Sequence, residues 1–307
     1  MWSHVSNISP PAWSGDYRID DNFLMSTPYP TILASVIYVV FVTKIGPKMM
    51  ENRSAYELRV PMIIYNFTVM LINLKIFVDG GRYGWLSHYS WRCAEYDMTD
   101  SIVNRGIANA GWLFFISKLI EFSDTLFFVA RKKQKQITLL HVVHHSLLPI
   151  SCWFTVKYAP VGHATFLGFT NSFVHVLMYG YYAAAAVGPS MSPYLWWKKY
   201  LTTIQMVQFV VMFLHSIQVF FADSCSFPRW SVWFNIGHAV LFMALFADFY
   251  RTTYSNAKSS KLKVMDHTDR KYVVKDRSSL NFVDNESTPI SSKLPLRFRG
   301  WIYFANC

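Results

Sequence analysis

Charged residues are scarce in this chain of 307 residues. Asp, Glu, Lys and Arg together make up 15%, against about 25% in a typical soluble domain. Hydrophobic residues reach 52%, and the mean hydropathy is +0.20. This composition excludes an intrinsically disordered chain and does not suit an ordinary soluble domain. It is typical of a protein with several membrane-spanning segments.

Cysteine is also rare, and its spacing excludes two further classes. The four cysteines, at positions 93, 152, 225 and 307, form no C-x-x-C pair or other zinc-type spacing. A cysteine-based metal site and a disulfide-rich scaffold are therefore not expected. The net charge of +11 is concentrated in short loops and in the C-terminal region, as membrane topology would place it. We therefore expect no nucleic-acid partner.

Apolar runs of nearly equal length recur along the chain. We identify seven such runs, at 30–47, 61–79, 107–130, 138–156, 164–187, 200–222 and 232–250. Each is close to the ~20 residues that a helix needs to cross a bilayer. The sequence thus predicts an all-α integral membrane protein with seven transmembrane helices. We divide it into an N-terminal segment (1–28), a membrane domain (29–252) and a basic tail expected to be disordered (253–307).

Basic residues mark alternate connections between these runs. They cluster at 44–59, 131–135 and 198–199 and along the tail. Since cytosolic loops carry the excess of Lys and Arg, the pattern predicts a lumenal N-terminus and a cytosolic C-terminus. The Asn-Ile-Ser sequon at Asn7 would then be lumenal and open to glycosylation.

The motif HVVHH, in the fourth run, is the most unusual feature of the sequence. At 100° per residue, His141, His144 and His145 share one helix face. The residues before and after the motif are strongly apolar. Ionisable groups at such depth are expensive, and they indicate a functional site by default.

Other polar residues lie at a similar depth in neighbouring runs. They are Lys118, Glu121 and Asp124 in the third run, Asn171, His175 and Tyr179 in the fifth, and Gln205 and Gln208 in the sixth. Counted from the expected cytosolic ends, the three acidic and basic residues of the third run, the four histidines and the two glutamines lie roughly 8 to 20 Å into the membrane. We infer one buried site that opens towards the cytosol. Lys118 and Glu121 also suit a structural ion pair, the glutamines suit interhelical hydrogen bonds, and Tyr179 suits a cavity wall.

Three chemistries compete for this site. A histidine-box desaturase or hydroxylase would need a larger set of histidines at one level, and only four of the ten lie there, so we expect no metal. A non-enzymatic receptor or transporter of seven helices is the second alternative. The third is an enzyme in which neutral imidazole acts as nucleophile or general base. An apolar site with a basic rim suits a substrate with an apolar chain and an anionic head, such as a long-chain acyl-CoA.

Four motifs that follow one another in a fixed order make the enzyme hypothesis specific. KLIEFSDT (118–125), HVVHH (141–145), NSFVHVLMYGYY (171–182) and TTIQMVQ (202–208) resemble the signature motifs of the very-long-chain fatty acid elongases, the ELO family. The resemblance covers roughly 15–254. It implies a 3-ketoacyl-CoA synthase that condenses malonyl-CoA with a long-chain acyl-CoA and releases CO₂ and CoA. It also implies six of the seven helices in a barrel around a closed acyl-chain tunnel.

The resemblance further implies a cellular setting. The protein would lie in the endoplasmic reticulum membrane as a multi-pass enzyme and would use no cofactor beyond its two CoA substrates. The reductases and the dehydratase of the elongation cycle, and a second copy of the chain, would be its protein partners.

The resemblance assigns roles to individual residues. His144 would carry the acyl group as an acyl-imidazole, His175 would assist the malonyl step, and His141 and His145 would orient them. Asn171 and Gln205 would donate hydrogen bonds to substrate oxygens. Supporting roles would fall to Lys118, Glu121, Asp124, Tyr179 and Gln208. The CoA phosphates would meet Lys132, Lys133, Lys198 and Lys199, although a solvated charge cluster explains each of these lysines as well. A lumenal disulfide would join Cys93 and Cys225.

Overall fold

A computed structural model describes residues 15–222 and 225–252 of the chain. The predictions about the sequon at Asn7 and about the tail 253–307 lie outside these ranges. Within the described residues the regular structure is helical, and there is no β-strand. The all-α fold expected from the sequence is therefore found.

Eight helices organise the described chain. They are α1 (Tyr29–Met50), α2 (Arg59–Trp85), α3 (Ile102–Ile120), α4 (Phe122–Ala130), α5 (Leu139–Tyr158), α6 (Thr165–Val187), α7 (Lys198–Phe221) and α8 (Arg229–Tyr250). Two of them contain a wider π-helical turn, at Phe41–Ile45 in α1 and Gly81–Trp85 in α2.

The third apolar run is not one helix, and the prediction of an unbroken span at 107–130 was wrong. The chain begins this helix earlier, at Ile102, and interrupts it at Glu121. Just before the break, the hydroxyl of Ser117 donates to the carbonyl oxygen of Phe114 at 2.7 Å. Such back-bonding by serine bends helices. The bend separates α3 from α4 at the acidic residue.

Five of the described helices are long and apolar enough to cross a membrane: α1, α2, α5, α7 and α8. The remaining two apolar runs form α3–α4 and α6, which do not meet the same criteria in the described residues. These two runs hold most of the polar side chains of the expected site. The protein is therefore a multi-pass membrane protein by its helices, with polar helices between the apolar ones.

Neighbouring helices contact one another in a closed order. The contacts run from α2 to α6, α7, α8, α5 and α3 and return to α2, and α3 also contacts α6. The first helix, α1, packs on α5. The most extensive contact joins α2 with α6.

Loop contacts define two ends of the bundle. At one end, the guanidinium of Arg59 donates to the carbonyl of Val187, and the amide of Tyr56 donates to the carbonyl of Ala130. We call this the site end, since HVVHH lies within the first two turns of α5 there. The starts of α2, α5 and α7 and the ends of α1, α4 and α6 belong to it.

The opposite end carries a disulfide between Cys93 and Cys225, whose Cα atoms are 5.8 Å apart. Next to it, the amide of Tyr96 donates to the carbonyl of Ser226, and the amide of His163 to the carbonyl of Ala94. These bonds tie the α2–α3 loop to the starts of α6 and α8. We call this the disulfide end.

An apolar cavity lies between the helices, on the disulfide side of the histidine motif. Its lining comes from α2, α3, α5, α6 and α8 and from the α5–α6 loop. Ile76, Phe114, Leu148 and Phe169 are among its walls, and all four side chains are buried. Burial of each such side chain stabilises the folded protein by about 1.5–3 kcal/mol.

Candidate active site

A buried charge cluster joins α3 to α6 at the helix break. The ammonium of Lys118 donates to Oε1 of Glu121 at 2.6 Å. Nδ1 of His175 lies 3.1 Å from the same carboxylate oxygen and 3.2 Å from Nζ of Lys118. The side chains of Lys118 and Glu121 are each 1% exposed. Ions so deeply buried are tolerated only when they are paired, and here each has its partner.

A second hydrogen-bonded chain leads from α1 through α4 to the histidine motif. The hydroxyl of Tyr38 lies 2.7 Å from Oγ1 of Thr125, and that oxygen lies 2.7 Å from Nε2 of His141. One ring nitrogen of His141 is thereby held at a fixed position. A histidine held in this way has a defined tautomer and orientation.

The three rings of the motif pack together. The ring centroids of His141 and His145 are 4.3 Å apart, and those of His144 and His145 are 5.2 Å apart. His144 also meets Phe242 of α8 edge-on at 5.1 Å. Electrostatic interactions connect His144 with Lys118, Glu121 and His175. The structure therefore brings the four histidines and the ion pair into one site.

The histidines differ in how their ring nitrogens are used. His141 and His175 are hydrogen-bonded through one nitrogen each. His145 is buried at 8% exposure. His144 is partly exposed, and no other described residue forms a hydrogen bond with its ring. Of the four, His144 has the ring most free to react.

Asp124 is held by a tyrosine of α6. The hydroxyl of Tyr179 donates to Oδ2 of Asp124 at 2.7 Å; Tyr179 is buried and Asp124 is partly buried. The ring of Tyr65 from α2 meets that of Tyr179 edge-on at 6.2 Å. Together, the hydrogen bond and the ring contact join α2, α4 and α6 one turn away from the charge cluster.

The three amide side chains predicted for the site differ in their contacts. Asn171 lies one turn before His175 on α6; it is buried, and its Oδ1 has no hydrogen-bond partner in the described structure. Nε2 of Gln205 donates to the sulfur of Met178 at 3.4 Å, on the neighbouring helix. Nε2 of Gln208 donates to the sulfur of Met212 in its own helix at 3.3 Å. The contacts of Gln208 therefore connect it to its own helix and not to the histidines.

The basic residues named from the sequence lie at the site end. Lys132 and Lys133 follow α4, and Lys198 and Lys199 begin α7. Nζ of Lys132 donates to the carbonyl oxygen of Glu51 at 3.1 Å. Nζ of Lys199 lies 4.8 Å from the ring centroid of Tyr200. Positive charge thus lies at two places on this end of the bundle, after α4 and at the start of α7.

The acidic, histidine and cysteine side chains show no metal-ligand geometry in the described part of the chain. In the ranges 15–222 and 225–252, no group of three or more of them is arranged to hold a metal ion. Of the ionisable side chains around HVVHH, Lys118, Glu121 and His175 are engaged with one another.

Sequence reasoning missed Tyr38 and Tyr65 as members of the site. Both lie in helices whose remaining residues look like ordinary membrane segments, and a single tyrosine gives no periodic signal. Thr125 was visible as a polar residue, but its bond to His141 required the helix break. Only the packing of α1 and α2 against the polar helices reveals these contacts.

The arrangement combines three chemical capacities. It has an imidazole whose ring nitrogens have no hydrogen bond to a described residue, a second imidazole in contact with a carboxylate, and a buried amide one turn from the second. Such a set supports acyl transfer, in which the first ring acts as nucleophile, the second exchanges protons and the amide stabilises an oxyanion. The apolar cavity beyond the histidines has the character expected for a hydrocarbon chain.

Residues 23–262 match the family model described as the GNS1/SUR4 family, ELO. The chain is also similar to several curated proteins over most of its length. It is 46% identical over 245 residues to a very long chain fatty acid elongase of Aedes aegypti, covering 80% of this chain and 68% of that protein. It is 45% identical over 239 residues to very long chain fatty acid elongase 7 of Drosophila melanogaster, covering 78% and 73%. With elongase 7 of Rattus norvegicus the identity is 41% over 245 residues, covering 79% and 87%.

Proposed function

Because the chain belongs to the ELO family and is a fatty acid elongating enzyme of the 3-ketoacyl-CoA synthase type, we propose that it condenses its substrates by a two-step mechanism centred on His144. The observation that carries this assignment is the free state of that ring. His141 and His175 are each hydrogen-bonded, and of the two rings without a hydrogen bond to a described residue, His145 is buried whereas His144 is partly exposed.

In the first step, a ring nitrogen of His144 attacks the carbonyl carbon of the acyl-CoA thioester. The C–N bond forms, the C–S bond breaks, and the CoA thiolate takes up the proton that the imidazole loses. The product is an acyl-imidazole and free CoA. An amide N–H of Asn171 donates to the carbonyl oxygen as it becomes an oxyanion.

In the second step, malonyl-CoA loses CO₂ and its enolate carbon attacks the acyl-imidazole. The new C–C bond forms as the C–N bond to His144 breaks, and the ring recovers a proton. That proton comes from solvent through His175: with Nδ1–H donating to Glu121, the other ring nitrogen takes up a proton from water and passes it to His144. The products are CO₂ and a 3-ketoacyl-CoA two carbons longer.

The neighbours of the two reacting histidines act as positioning groups. Thr125 and Tyr38 hold His141, which packs on His145 and so limits the motion of the motif. Glu121 and Lys118 hold His175. Gln205, on α7, would donate to the malonyl carbonyl in exchange for its contact with Met178, and Tyr179 with Asp124 would close the wall behind His175.

The closed order of helix contacts supports a six-helix barrel of α2, α3, α5, α6, α7 and α8, with α1 outside. In this account α3–α4 and α6 also cross the membrane, which makes seven spans. The apolar cavity would be the inner part of an acyl-chain tunnel that is closed at the disulfide end. The basic residues at the site end would face the cytosol and receive the phosphates of CoA.

This topology supports a place in the endoplasmic reticulum membrane. The disulfide would lie in the oxidising lumen and the histidines towards the cytosol. The 3-ketoacyl-CoA product requires reduction and dehydration to become a saturated chain. Reductases and a dehydratase of the same membrane are therefore its proposed partners, together with a second copy of the chain.

The reaction as written requires no metal or further cofactor. Purified full-length protein, given malonyl-CoA labelled in its free carboxyl group and a long-chain acyl-CoA, should release labelled CO₂ and 3-ketoacyl-CoA in equal amounts. Dialysis against a chelator should leave the rate unchanged, and His144→Ala should abolish it. Full activity in His144→Ala would overturn the proposed mechanism. Loss of activity on chelation, with recovery on adding iron, would overturn the metal-free account.

A further inference from the structure

Five polar side chains lie in the otherwise apolar wall of the cavity: Thr165 at the start of α6, and four more on α5 and α8. Ser151 and Thr155 lie one turn apart on α5, and Asn235 and His238 lie one turn apart on α8. All four line the cavity, whose other walls are almost entirely apolar. We call these four residues the polar girdle. The mechanism above does not use it.

The hydrogen bonds of the girdle leave specific atoms available. Nδ1 of His238 lies 2.8 Å from the carbonyl oxygen of Phe234, so Nδ1 carries the proton and donates it. Nε2 of the neutral ring is then an acceptor, and the hydroxyl of Ser151 donates to it at 2.7 Å. The oxygen of Ser151 therefore presents lone pairs but no free proton.

Asn235 supplies the complementary group. Its side chain is buried at 7% exposure and lines the cavity. No described residue hydrogen-bonds to its amide. An amide that loses water without gaining a partner costs about 1–3 kcal/mol, so a polar group on a ligand that fills the cavity would be favoured at this position. The cavity thus offers an N–H donor beside hydroxyl and amide acceptors.

We propose that the polar girdle is a subsite for a hydroxyl group carried on the acyl chain of the substrate. A hydroxyl both donates and accepts, and it matches the amide of Asn235 together with the oxygen of Ser151. A carbon–carbon double bond cannot satisfy an amide N–H to a similar degree. This inference rests on the proposed function, because it takes the cavity to hold the chain that His144 carries.

Helix geometry gives the expected position of that hydroxyl. Ser151 and Thr155 follow His144 by seven and eleven residues on the same helix. At 1.5 Å per residue they lie about 10 and 16 Å deeper. An extended chain advances about 3.5 Å for every three bonds. The hydroxyl is therefore expected roughly nine to fourteen carbons from the thioester.

The test uses purified full-length protein, malonyl-CoA and a ladder of acyl-CoAs of one length, each with a single hydroxyl at a different carbon. The readout is kcat/KM relative to the unsubstituted acyl-CoA of that length. The proposal predicts a maximum within the stated range. It also predicts that Asn235→Leu or Ser151→Ala lowers this maximum about tenfold, as loss of a good hydrogen bond in an apolar site would. Gly237→Ala, on the same helix, adds a methyl with no atom within 4 Å and should leave the ladder unchanged.

Two kinds of failure are distinguishable. If the wild-type protein does not condense even the unsubstituted acyl-CoA, the proposed function fails. If it does so but the ladder is flat, or the maximum persists in both variants, the girdle is not a hydroxyl subsite. A flat ladder is also the result expected if the girdle merely holds water. Because the ladder is measured on the wild-type protein, the test does not depend on the folding of any variant.

Discussion

The ammonium of Lys118 lies 2.6 Å from a carboxylate oxygen of Glu121, one helical turn away, and both side chains are only 1% exposed. The pair lies where the third apolar run breaks into α3 and α4. His175 of α6 contacts both members of the pair. The ion pair thus links the break in one helix to a reacting histidine on another.

Removal of one partner of this pair should destabilise the fold strongly. Lys118→Met leaves the charge of Glu121 buried and uncompensated, which costs about 3–5 kcal/mol. Lys118→Met combined with Glu121→Gln removes both charges and should recover most of the loss. Denaturation in detergent measures the free energy of unfolding. Arg105→Gln, which breaks an exposed pair with Asp100, should have no measurable effect. Equal stability of the single and double variants would contradict this account.

The hydroxyl chain from Tyr38 to His141 should affect rate more than substrate affinity. Thr125→Val keeps the shape of the side chain but removes both 2.7 Å contacts. One lost hydrogen bond of about 1–1.5 kcal/mol corresponds to a roughly five- to tenfold lower kcat. Steady-state kinetics should show this with little change in KM. Thr43→Val is the matched control, since its hydroxyl donates within α1 to Val39. A wild-type kcat in Thr125→Val would refute the positioning role.

Asn171 should be essential to the chemical steps if its amide stabilises the oxyanion. Loss of one such donor typically lowers kcat about 10²- to 10³-fold, and we expect Asn171→Leu to do so. Release of labelled CO₂ in single-turnover experiments measures the effect. Thr170→Val provides the control on the preceding residue, because that hydroxyl bonds within its own helix to Phe166. If Asn171→Leu lowers kcat less than threefold, Asn171 has a packing role and does not stabilise the oxyanion.

The disulfide between Cys93 and Cys225 closes a loop with a sequence separation of 132 residues. Since a cross-link over so long a loop restricts the unfolded chain, its removal should cost about 3–5 kcal/mol. The double variant Cys93→Ser/Cys225→Ser should unfold at a lower temperature than the untreated protein and match the reduced wild type. If a reductant does not change the melting temperature of the wild type, this contribution is absent.

Much of the candidate site was visible in the sequence because polar residues are conspicuous inside apolar runs. HVVHH, Lys118, Glu121 and His175 stand out for that reason, and the structure brings them together. The break at Glu121 was not predictable from periodicity, since the residues on both sides continue the apolar pattern. Tyr38 was not recognised, because a tyrosine in a membrane helix has many ordinary roles. The seven apolar runs all form helices, but the two polar ones do not meet the length and apolarity of a membrane span.

The polar girdle is a second feature that could not be predicted from the sequence. Ser151 and His238 are 87 residues apart in the chain, and no local pattern connects them. Only the contact between α5 and α8 makes them partners. Interactions within one helix can be inferred from spacing, whereas those between helices depend on packing.

The central claim is that His144 carries the acyl group, and intact mass spectrometry tests it most directly. Full-length protein is incubated with acyl-CoA alone, without malonyl-CoA, and quenched rapidly. We predict a mass increase of one acyl group per chain, located by peptide mapping on His144 and absent from His144→Ala. Addition of malonyl-CoA before the quench should remove the adduct and yield 3-ketoacyl-CoA. An unmodified protein under conditions in which CoA is released, or an adduct that persists in His144→Ala, would contradict the account.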